Sequence, residues 1–470
     1  MASRRPPAFT VQDIVRATQG ALVGGDLAVP VTGVSIDSRS LAVGEAFFAI
    51  RGHRLDGHAY LAEAAGRGSA CLVVHELPDE LPPNVPLVLV QDTTKALGRL
   101  AGWHRAKFAI PVVAVTGSNG KTTTKELIAA ILATRWNTLK PAGSFNNQWG
   151  LPLTLLGLGP EHGALVVELG TNQPGEIAAL AALAAPTVGV VTVVAPVHTE
   201  FLGSIEGVRD EKAGLVRALP PDGVAVLNAD DPRVASMARD TRARVLTFGA
   251  AGAGDVRAVG EVADGPDGLA LTLEHGGARQ RIALPLSGRH NVINALAAAG
   301  AGVALGFGLA EIATGLAATR PVKGRCVWKT AGEVRILDDT YNANPASVRA
   351  ALDTVAAHRA GARLVVVLGD MLELGPGVED AHREIGRYAV SAAGATVVVG
   401  MGRHAVALIE GARAAGAGEA QQTETFEDTV AFLLKELVPG DLVLVKGSRG
   451  MRMERIVDAL VARLARAGAD

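Results

Sequence analysis

At 470 residues the chain is too long for one hydrophobic core, and ordinary domain sizes set an expectation of about three domains. With 45 basic against 47 acidic residues the net charge is −2, and aromatic residues make up only 4%. That leaves neither the basic footprint nor the stacking platform of a nucleic-acid binder and points to small-molecule partners. Cys71 and Cys326 are too few for a disulfide framework or a zinc knuckle, which fits a reducing cytoplasm. Arg4 and Arg5 lead into Pro6 and Pro7 instead of an apolar segment, which argues against a signal peptide.

Residues 1–107 hold short β-like runs, 28–34, 46–50, 71–74 and 87–90, between glycine and proline turns, and predict a small α/β domain. Within it Asp37-Ser38-Arg39 and Asp56-Gly57-His58 set polar side chains at strand ends and glycine turns. Such a set suits an anionic or uridine-like group, and a plain turn network would look similar.

From 108 to 320 strand and helix alternate as in a doubly wound sheet. A β-rich run, 111–115, leads into Thr116-Gly117-Ser118-Asn119-Gly120-Lys121-Thr122 and then a helical run, 121–136. The glycines let the backbone approach an anion, the helix start offers unpaired N–H groups, and Lys121 can reach terminal phosphates. Thr122 would then be a magnesium ligand. Val115 stands where the common P-loop pattern has its first glycine, so the form is the shorter T-G-x-x-G-K-T. A tight turn with a solvated lysine is the plainer alternative. One helix further on, Ser144-Phe145-Asn146-Asn147 is dense in asparagine, and its place favours ligand contact over turn formation alone. The strand 164–167 runs into Glu168, at a carboxyl end where open α/β sheets bind ligands, making Glu168 the hard-oxygen partner of Thr122.

Residues 177–197 carry no charge, but Pro186 divides an alanine-rich half from a β-branched half. A helix and a buried strand ending at Ala195 are expected rather than a membrane span. His198 then lies at a third strand end facing the same crevice. A helix over 207–219 carries Arg209, Asp210, Glu211 and Lys212 on its polar face, where a lysine is ordinarily solvated. Residues 228–231 close another strand, and 255–285 read as a β-hairpin addition. The helix opened by Gly288-Arg289-His290 places Asn291 and Asn294 on one face. Their amides suit the edge of an adenine, and helix capping by one of them is the simpler use.

Residues 321–325 look like a hinge, after which a second doubly wound pattern runs to 470. Its strands 334–337, 364–368 and 441–445 end in Asp338-Asp339-Thr340-Tyr341-Asn342-Ala343-Asn344, in Gly369-Asp370-Met371 and in Lys446-Gly447-Ser448-Arg449. A cleft between two such sheet edges suits a reaction joining two substrates over ATP.

The cradle with Lys125-Glu126, the run 146–154, Glu168-Leu169-Gly170, 198–212, 290–295 and 338–345 together resemble the Mur ligases, across all three domains. The runs 339–345 and 367–375 are the most discriminating, and the D-N-P-R run by which a relative selects its amino acid is absent. The resemblance implies a cytoplasmic ATP-dependent ligase of peptidoglycan precursor synthesis that adds D-alanyl-D-alanine to UDP-N-acetylmuramoyl-tripeptide through an acyl phosphate. It implies an α/β fold of three domains: a UDP-substrate domain (1–107), a P-loop-type ATPase domain (108–320) and a Rossmann-like domain (321–470). ATP would lie on the cradle and Thr123, with Asn291 and Asn294 near adenine, Asp339 near ribose and Arg325 near the phosphates. One Mg²⁺ would take Thr122 and Glu168, and a second Glu168, His198 and a carbamylated Lys212. Ser38, Arg39, Asp56, Gly57, His58, Asn146 and Asn147 would serve the UDP-linked substrate, and Tyr341, Asn342 and Asn344 the dipeptide. Lys121, Glu168, His198 and Lys212 would carry catalysis, with no covalent enzyme intermediate and no Ser-His-Asp set. A monomer without membrane span or nucleic-acid partner is expected. Two other readings remain open: another ligase of the superfamily, such as the preceding-step ligase or a folylpolyglutamate synthase, and a regulatory ATPase that only changes shape.

Overall fold

Runs of valine, leucine and alanine buried from end to end form the strands Val112–Thr116, Ala164–Glu168, Val188–Val191 and Val224–Asn228, the pattern of parallel strands covered on both faces. The structure, a computed structural model, describes residues 9–52, 55–80, 84–143, 145–197, 199–265 and 267–467. His198, Ser144 and the N-terminal Arg4 to Pro7 lie outside these.

Among the described residues, the four strands above belong to a nine-stranded sheet. Its first strand in the chain, Val112–Thr116, lies inside it, between Ala164–Glu168 on one side and Val188–Val191 on the other. The strand order therefore reverses there, and the crevice beyond the carboxyl end of Val112–Thr116 is a topological switch point. The region 255–285 adds three antiparallel-paired strands, Val256–Gly265, Gly268–His275 and Ala278–Leu284, one more than the expected hairpin.

The N-terminal part forms a five-stranded sheet, with Ala21–Gly24, Leu87–Leu89, Cys71–Val74, Glu45–Phe48 and Gly33–Ser35 in that order. The run 28–34 is not one strand. It is split at Thr32, whose N–H bonds the Gly44 carbonyl, so that Pro30–Val31 pairs with Phe9–Thr10 in a separate ribbon. The helix Thr93–Arg105, capped by Asp92, joins this sheet to the central one. Its Leu97, Leu100 and Ala101 lie in one apolar core with Phe48 and Val73 from the first sheet and Val112 and Leu165 from the second.

The C-terminal sheet runs Val327–Ala331, Val334–Asp339, Leu442–Lys446, Leu364–Gly369, Val397–Met401, Glu419–Thr423. The insertion of Leu442–Lys446 beside Val334–Asp339 brings Asp339 level with Lys446.

Two expected ends move by about a turn of chain. The cradle helix is Lys121–Leu132 and stops short of Trp136, because Thr134, Arg135 and Trp136 turn their N–H groups back onto Ile131 and Leu132. The strand expected to reach Ala195 leaves the sheet after Val191, for a reason that lies in the site. No helix among the described residues is long and apolar enough to cross a membrane, and 177–197 resolves into the helix Glu176–Ala184 and the strand Val188–Val191.

Because Leu97 is fully buried where the first two sheets meet, Leu97→Ala should lower unfolding stability by about 2–5 kcal/mol. Urea unfolding should show a lower midpoint with an unchanged slope.

Candidate active site

The phosphate loop is fixed by contacts that only glycine permits. Gly117 and Gly120 have φ of +148° and +81°, and an added Cβ would fall 1.9 Å from Thr192 Oγ1 at the first and 2.1 Å from Asn294 Oδ1 at the second. The loop also captures the chain beyond the neighbouring strand. Ser118 N donates to the Val193 carbonyl at 2.7 Å, Ala195 N donates to Ser118 Oγ at 2.8 Å, and Thr192 Oγ1 donates to the Asn119 carbonyl at 2.6 Å. Thr192 N still donates to the Thr116 carbonyl at 3.1 Å, but residues 193–195 are held by the loop, and the regular strand ends at Val191. The helix Lys121–Leu132 starts at Gly120 with no side-chain cap, so its first N–H groups are left for an anion.

Lys121 folds over this loop, its Nζ donating to the Gly117 carbonyl at 2.8 Å. Burial lowers its pKa, Glu168 opposing the shift and Arg325 adding to it. Thr122 Oγ1 donates to Glu168 Oε2 at 2.8 Å and accepts from Arg325 Nη2 at 2.9 Å. Asn146 Nδ2 donates to the other carboxylate oxygen at 2.7 Å. A hydroxyl and a buried carboxylate beside a phosphate loop are the hard oxygens that Mg²⁺ takes along with substrate phosphates, so this pair fits the ion. Among the described residues no three Asp, Glu, His or Cys side chains gather into a metal cluster.

Lys212 is not on a solvated face. In the helix Ile205–Arg217, capped by Ser204, Glu211 and Lys212 both turn inward. The Glu211 carboxylate accepts from Gly175 N at 2.6 Å and Ile177 N at 2.7 Å, covering the start of the helix Glu176–Ala184. Lys212 is 2% exposed and lines the cleft, and among the described residues no hydrogen bond or ion pair reaches its amine. Burial, reinforced by Lys121 and opposed by Glu211, lowers its pKa to about 7.

The C-terminal sheet faces this loop across a cleft of about 1240 Å³. Lys446 Nζ donates to Asp339 Oδ2 at 2.5 Å and to the Asn342 carbonyl at 2.8 Å. Asp339 Oδ1 accepts from Cys326 N at 3.1 Å. The Arg325 guanidinium stacks 4.1 Å from the Tyr341 ring centroid, and its buried Nε has no hydrogen-bond partner among the described residues. Asn344 caps the helix Pro345–Ala357 and bonds Asn119 on the phosphate loop. Asn291 and Asn294 line the cleft but neither caps its helix: Asn291 Nδ2 donates to the Ser287 carbonyl and Asn294 Nδ2 to Asn291 Oδ1, both at 2.8 Å.

The cleft thus gathers Ser118, Asn119, Gly120, Lys121, Thr122, Thr123, Asn146, Glu168, Lys212, Asn291, Asn294, Arg325, Asp339, Tyr341, Asn342 and Asn344. Thr116 points into the core, donating to the Leu169 carbonyl. Asn147 lies outside the cleft lining, and its Oδ1 accepts from Trp149 N and Gly150 N at the start of a short helix. Ser38, Arg39, Asp56, Gly57 and His58 do not line this cleft. Ser38 Oγ donates to Glu63, Arg39 pairs with Asp37, and Asp56 accepts from the His58 backbone and meets its ring Nδ1 at 2.7 Å. Lys446 and Arg449, expected at the ligand-binding edge of the C-terminal sheet without a named role, also line the cleft, and so does Thr192, which sequence reasoning did not single out. For Lys446 the signal was its place at a strand end before a glycine.

A phosphate loop at the switch point of one sheet, facing the strand ends of another across one cleft, defines a nucleotide-dependent enzyme working between two domains. The family models described as Mur ligase family, catalytic domain, Mur ligase middle domain, and Mur ligase, glutamate ligase domain match residues 30–105, 115–302 and 324–449. The UDP-N-acetylmuramoyl-tripeptide–D-alanyl-D-alanine ligase of Escherichia coli K12 is 38% identical over 458 residues, 96% of this chain and 98% of that one. A crystal structure of MurF from Acinetobacter baumannii superposes with TM-score 0.89 at 31% identity, covering 98% of this chain and 100% of that one. MurF from Thermotoga maritima, solved in complex with ADP, gives TM-score 0.81 at 26% identity over 93% of this chain and 98% of that one. The chain belongs to the Mur ligase family.

The Lys212 shift has a definite sign. Its folded pKa of about 7 lies below the ordinary 10.5, so the folded chain binds fewer protons than the unfolded one between these values and stability rises with pH across that window. The burial penalty is full below pH 7 and gone above 10.5. In carbonate-free buffer Lys212→Met should therefore be more stable than the parent at pH 6, with the gap closing towards pH 10 in thermal unfolding.

Proposed function

We propose that this chain joins D-alanyl-D-alanine to UDP-N-acetylmuramoyl-tripeptide while ATP becomes ADP and phosphate, a cytoplasmic step of peptidoglycan precursor synthesis. The observation that carries the reading is the single cleft holding both the phosphate loop and the strand ends of the C-terminal sheet. Two substrates can meet there over a nucleotide.

The roles divide among residues 1–107 for the UDP-linked substrate, 108–320 for ATP and 321–470 for the dipeptide. The terminal carboxylate of the tripeptide attacks the γ-phosphorus, forming an acyl phosphate and releasing ADP. The dipeptide amine then attacks the acyl carbon, the acyl–oxygen bond breaks, phosphate leaves and the amine loses a proton. The loop N–H groups bind the phosphates, and Lys121 and Arg325 neutralise the transferring oxygens. Asn291 and Asn294 take the adenine edge and Asp339 the ribose. Tyr341 and Asn342 face the dipeptide, and Ser38, Arg39, Asp56, Gly57, His58, Asn146 and Asn147 serve the UDP-linked substrate. Thr122 and Glu168 would hold one Mg²⁺, and Glu168, His198 and Lys212 a second, and bound ions of this kind neutralise phosphoryl charge. Lys212 acts as a carbamate: its neutral amine adds carbon dioxide and releases a proton, turning a cation into an oxygen ligand. A buried amine that no hydrogen bond or ion pair reaches among the described residues, with a pKa lowered to about 7, supports this.

The test is phosphate release in the presence of ATP, the UDP-linked tripeptide and the dipeptide, and with each withheld. Release that ignores the dipeptide would remove the ligase reading. Lys121→Ala should lose ~10²-fold or more in turnover while keeping its melting temperature. Lys212→Ala should be almost inactive and partly restored by acetate. An active Lys212→Ala enzyme would take Lys212 out of the site.

A further inference from the structure

The phosphate loop and the segment that follows Asp339 are joined by one reciprocal contact. Asn344 Nδ2 donates to Asn119 Oδ1 at 2.7 Å, and Asn119 Nδ2 reaches Asn344 Oδ1 at 3.4 Å. We propose that this amide pair is a clasp through which an occupied phosphate loop positions the dipeptide side of the cleft, and that Asn344 is a positioning residue and not a dipeptide ligand. The proposal rests on the function assigned above.

Asn344 has little left to offer a ligand. Its Oδ1 also accepts from Ser347 N at 2.9 Å, and its own N–H donates to Ser347 Oγ at 3.0 Å, closing a capping box at the start of Pro345–Ala357. Three of the four hydrogen-bonding positions of its amide are committed by these contacts. Asn342, by contrast, is exposed in the cleft. Its Oδ1 accepts from Arg449 N at 3.4 Å, while its amide nitrogen has no partner among the described residues.

The other half of the clasp is equally constrained. The Asn119 carbonyl is held by Thr192, and the next residue, Gly120, abuts Asn294. Asn119 therefore cannot shift without the loop, and a loop drawn onto phosphates must carry its side chain along. That movement passes to Asn344, the rigid N-cap before Pro345, and so to Asn342 two residues earlier. The pair is uncharged and needs both a donor and an acceptor on each side, so it sets one separation between loop and segment at any pH or salt concentration.

Asn344→Ser separates the two roles, since serine caps a helix about as well as asparagine but is too short to reach Asn119. With Asn344→Ser, Asn119→Ser and the double variant, melting temperatures of the Asn344→Ser enzyme and the parent should agree. Each single change should lower kcat/KM for D-alanyl-D-alanine about tenfold, and the double variant should be no worse than either, as for two halves of one contact. Hydrogen exchange supplies a readout independent of turnover: a non-hydrolysable ATP analogue should slow exchange over residues 341–350 in the parent and not in Asn344→Ser. Additive losses, parent-like dipeptide kinetics, or analogue-induced protection that persists in Asn344→Ser would each overturn the clasp. A parent that does not ligate the dipeptide at all would instead defeat the assigned function, and the exchange measurement would still decide whether loop and segment are coupled.

Discussion

The site depends on the absence of two side chains. With Gly117 against Thr192 and Gly120 against Asn294, the phosphate loop is seated directly on the adjoining strand extension and on the helix His290–Ala304. A Cβ at Gly117 would collide with Thr192, and one at Gly120 with Asn294. Because the loop is seated this way, its carbonyls and N–H groups take the partners that end the neighbouring strand at Val191 and leave the helix start free for phosphate. Local chain geometry at two residues thus decides the shape of a cleft built from elements far apart in sequence.

Around that loop, charge is deliberately unbalanced. Lys121, Lys212 and Arg325 lie around it, while Glu168, which opposes the Lys121 shift, already has its oxygens occupied by Thr122 and Asn146, and Glu211 is the carboxylate opposing the Lys212 shift. Burying cations is costly, and in both lysines burial is the largest cause of a lowered pKa. The imbalance makes sense for a site whose occupant is a polyanion, since a triphosphate supplies the missing negative charge and recovers the desolvation cost on binding. The stacked Arg325, with an unpartnered Nε and a hydroxyl already in reach, is poised in the same way.

What could be read in the sequence was what is local. The glycine-rich loop, the helix behind it and the strand-end Glu168 are coded by neighbours in the chain, and the alternation of β-branched runs with alanine-rich helices exposes the doubly wound sheets. What depends on distant partners could not be read. Lys212 sits in a run of charged residues that looks like a solvated face, yet Glu211 turns inward to cap a different helix and takes Lys212 with it. Lys446 meets Asp339 only because the last strand of the sheet inserts beside Val334–Asp339. The run 28–34 contains strand formers throughout, but Thr32 is drawn to Gly44 and the run divides between two sheets. Asn344 reads as a ligand by position, and its contact with Asn119, 225 residues away, was not legible there.

The two junctions between the sheets are chemically unlike, and this bears on how the enzyme can work. The first and second sheets share an apolar core around Thr93–Arg105, with fully buried residues from both sides. Separating them would expose that core to water, so they are expected to move as one body. Between the second and third sheets the contacts described here are polar: Asn119 with Asn344, Arg325 with Thr122, Trp328 Nε1 with Ser287 Oγ, His358 with Asp264, and Thr199 with the Leu374 carbonyl. Water can replace each of these at little net cost, as at interfaces between domains that move. The cleft is therefore free to widen for large substrates on the C-terminal side only, and the phosphate loop stays with the part of the molecule that carries the N-terminal sheet. A reaction in which one substrate is held by the first two domains and the second delivered by the third would use that asymmetry directly.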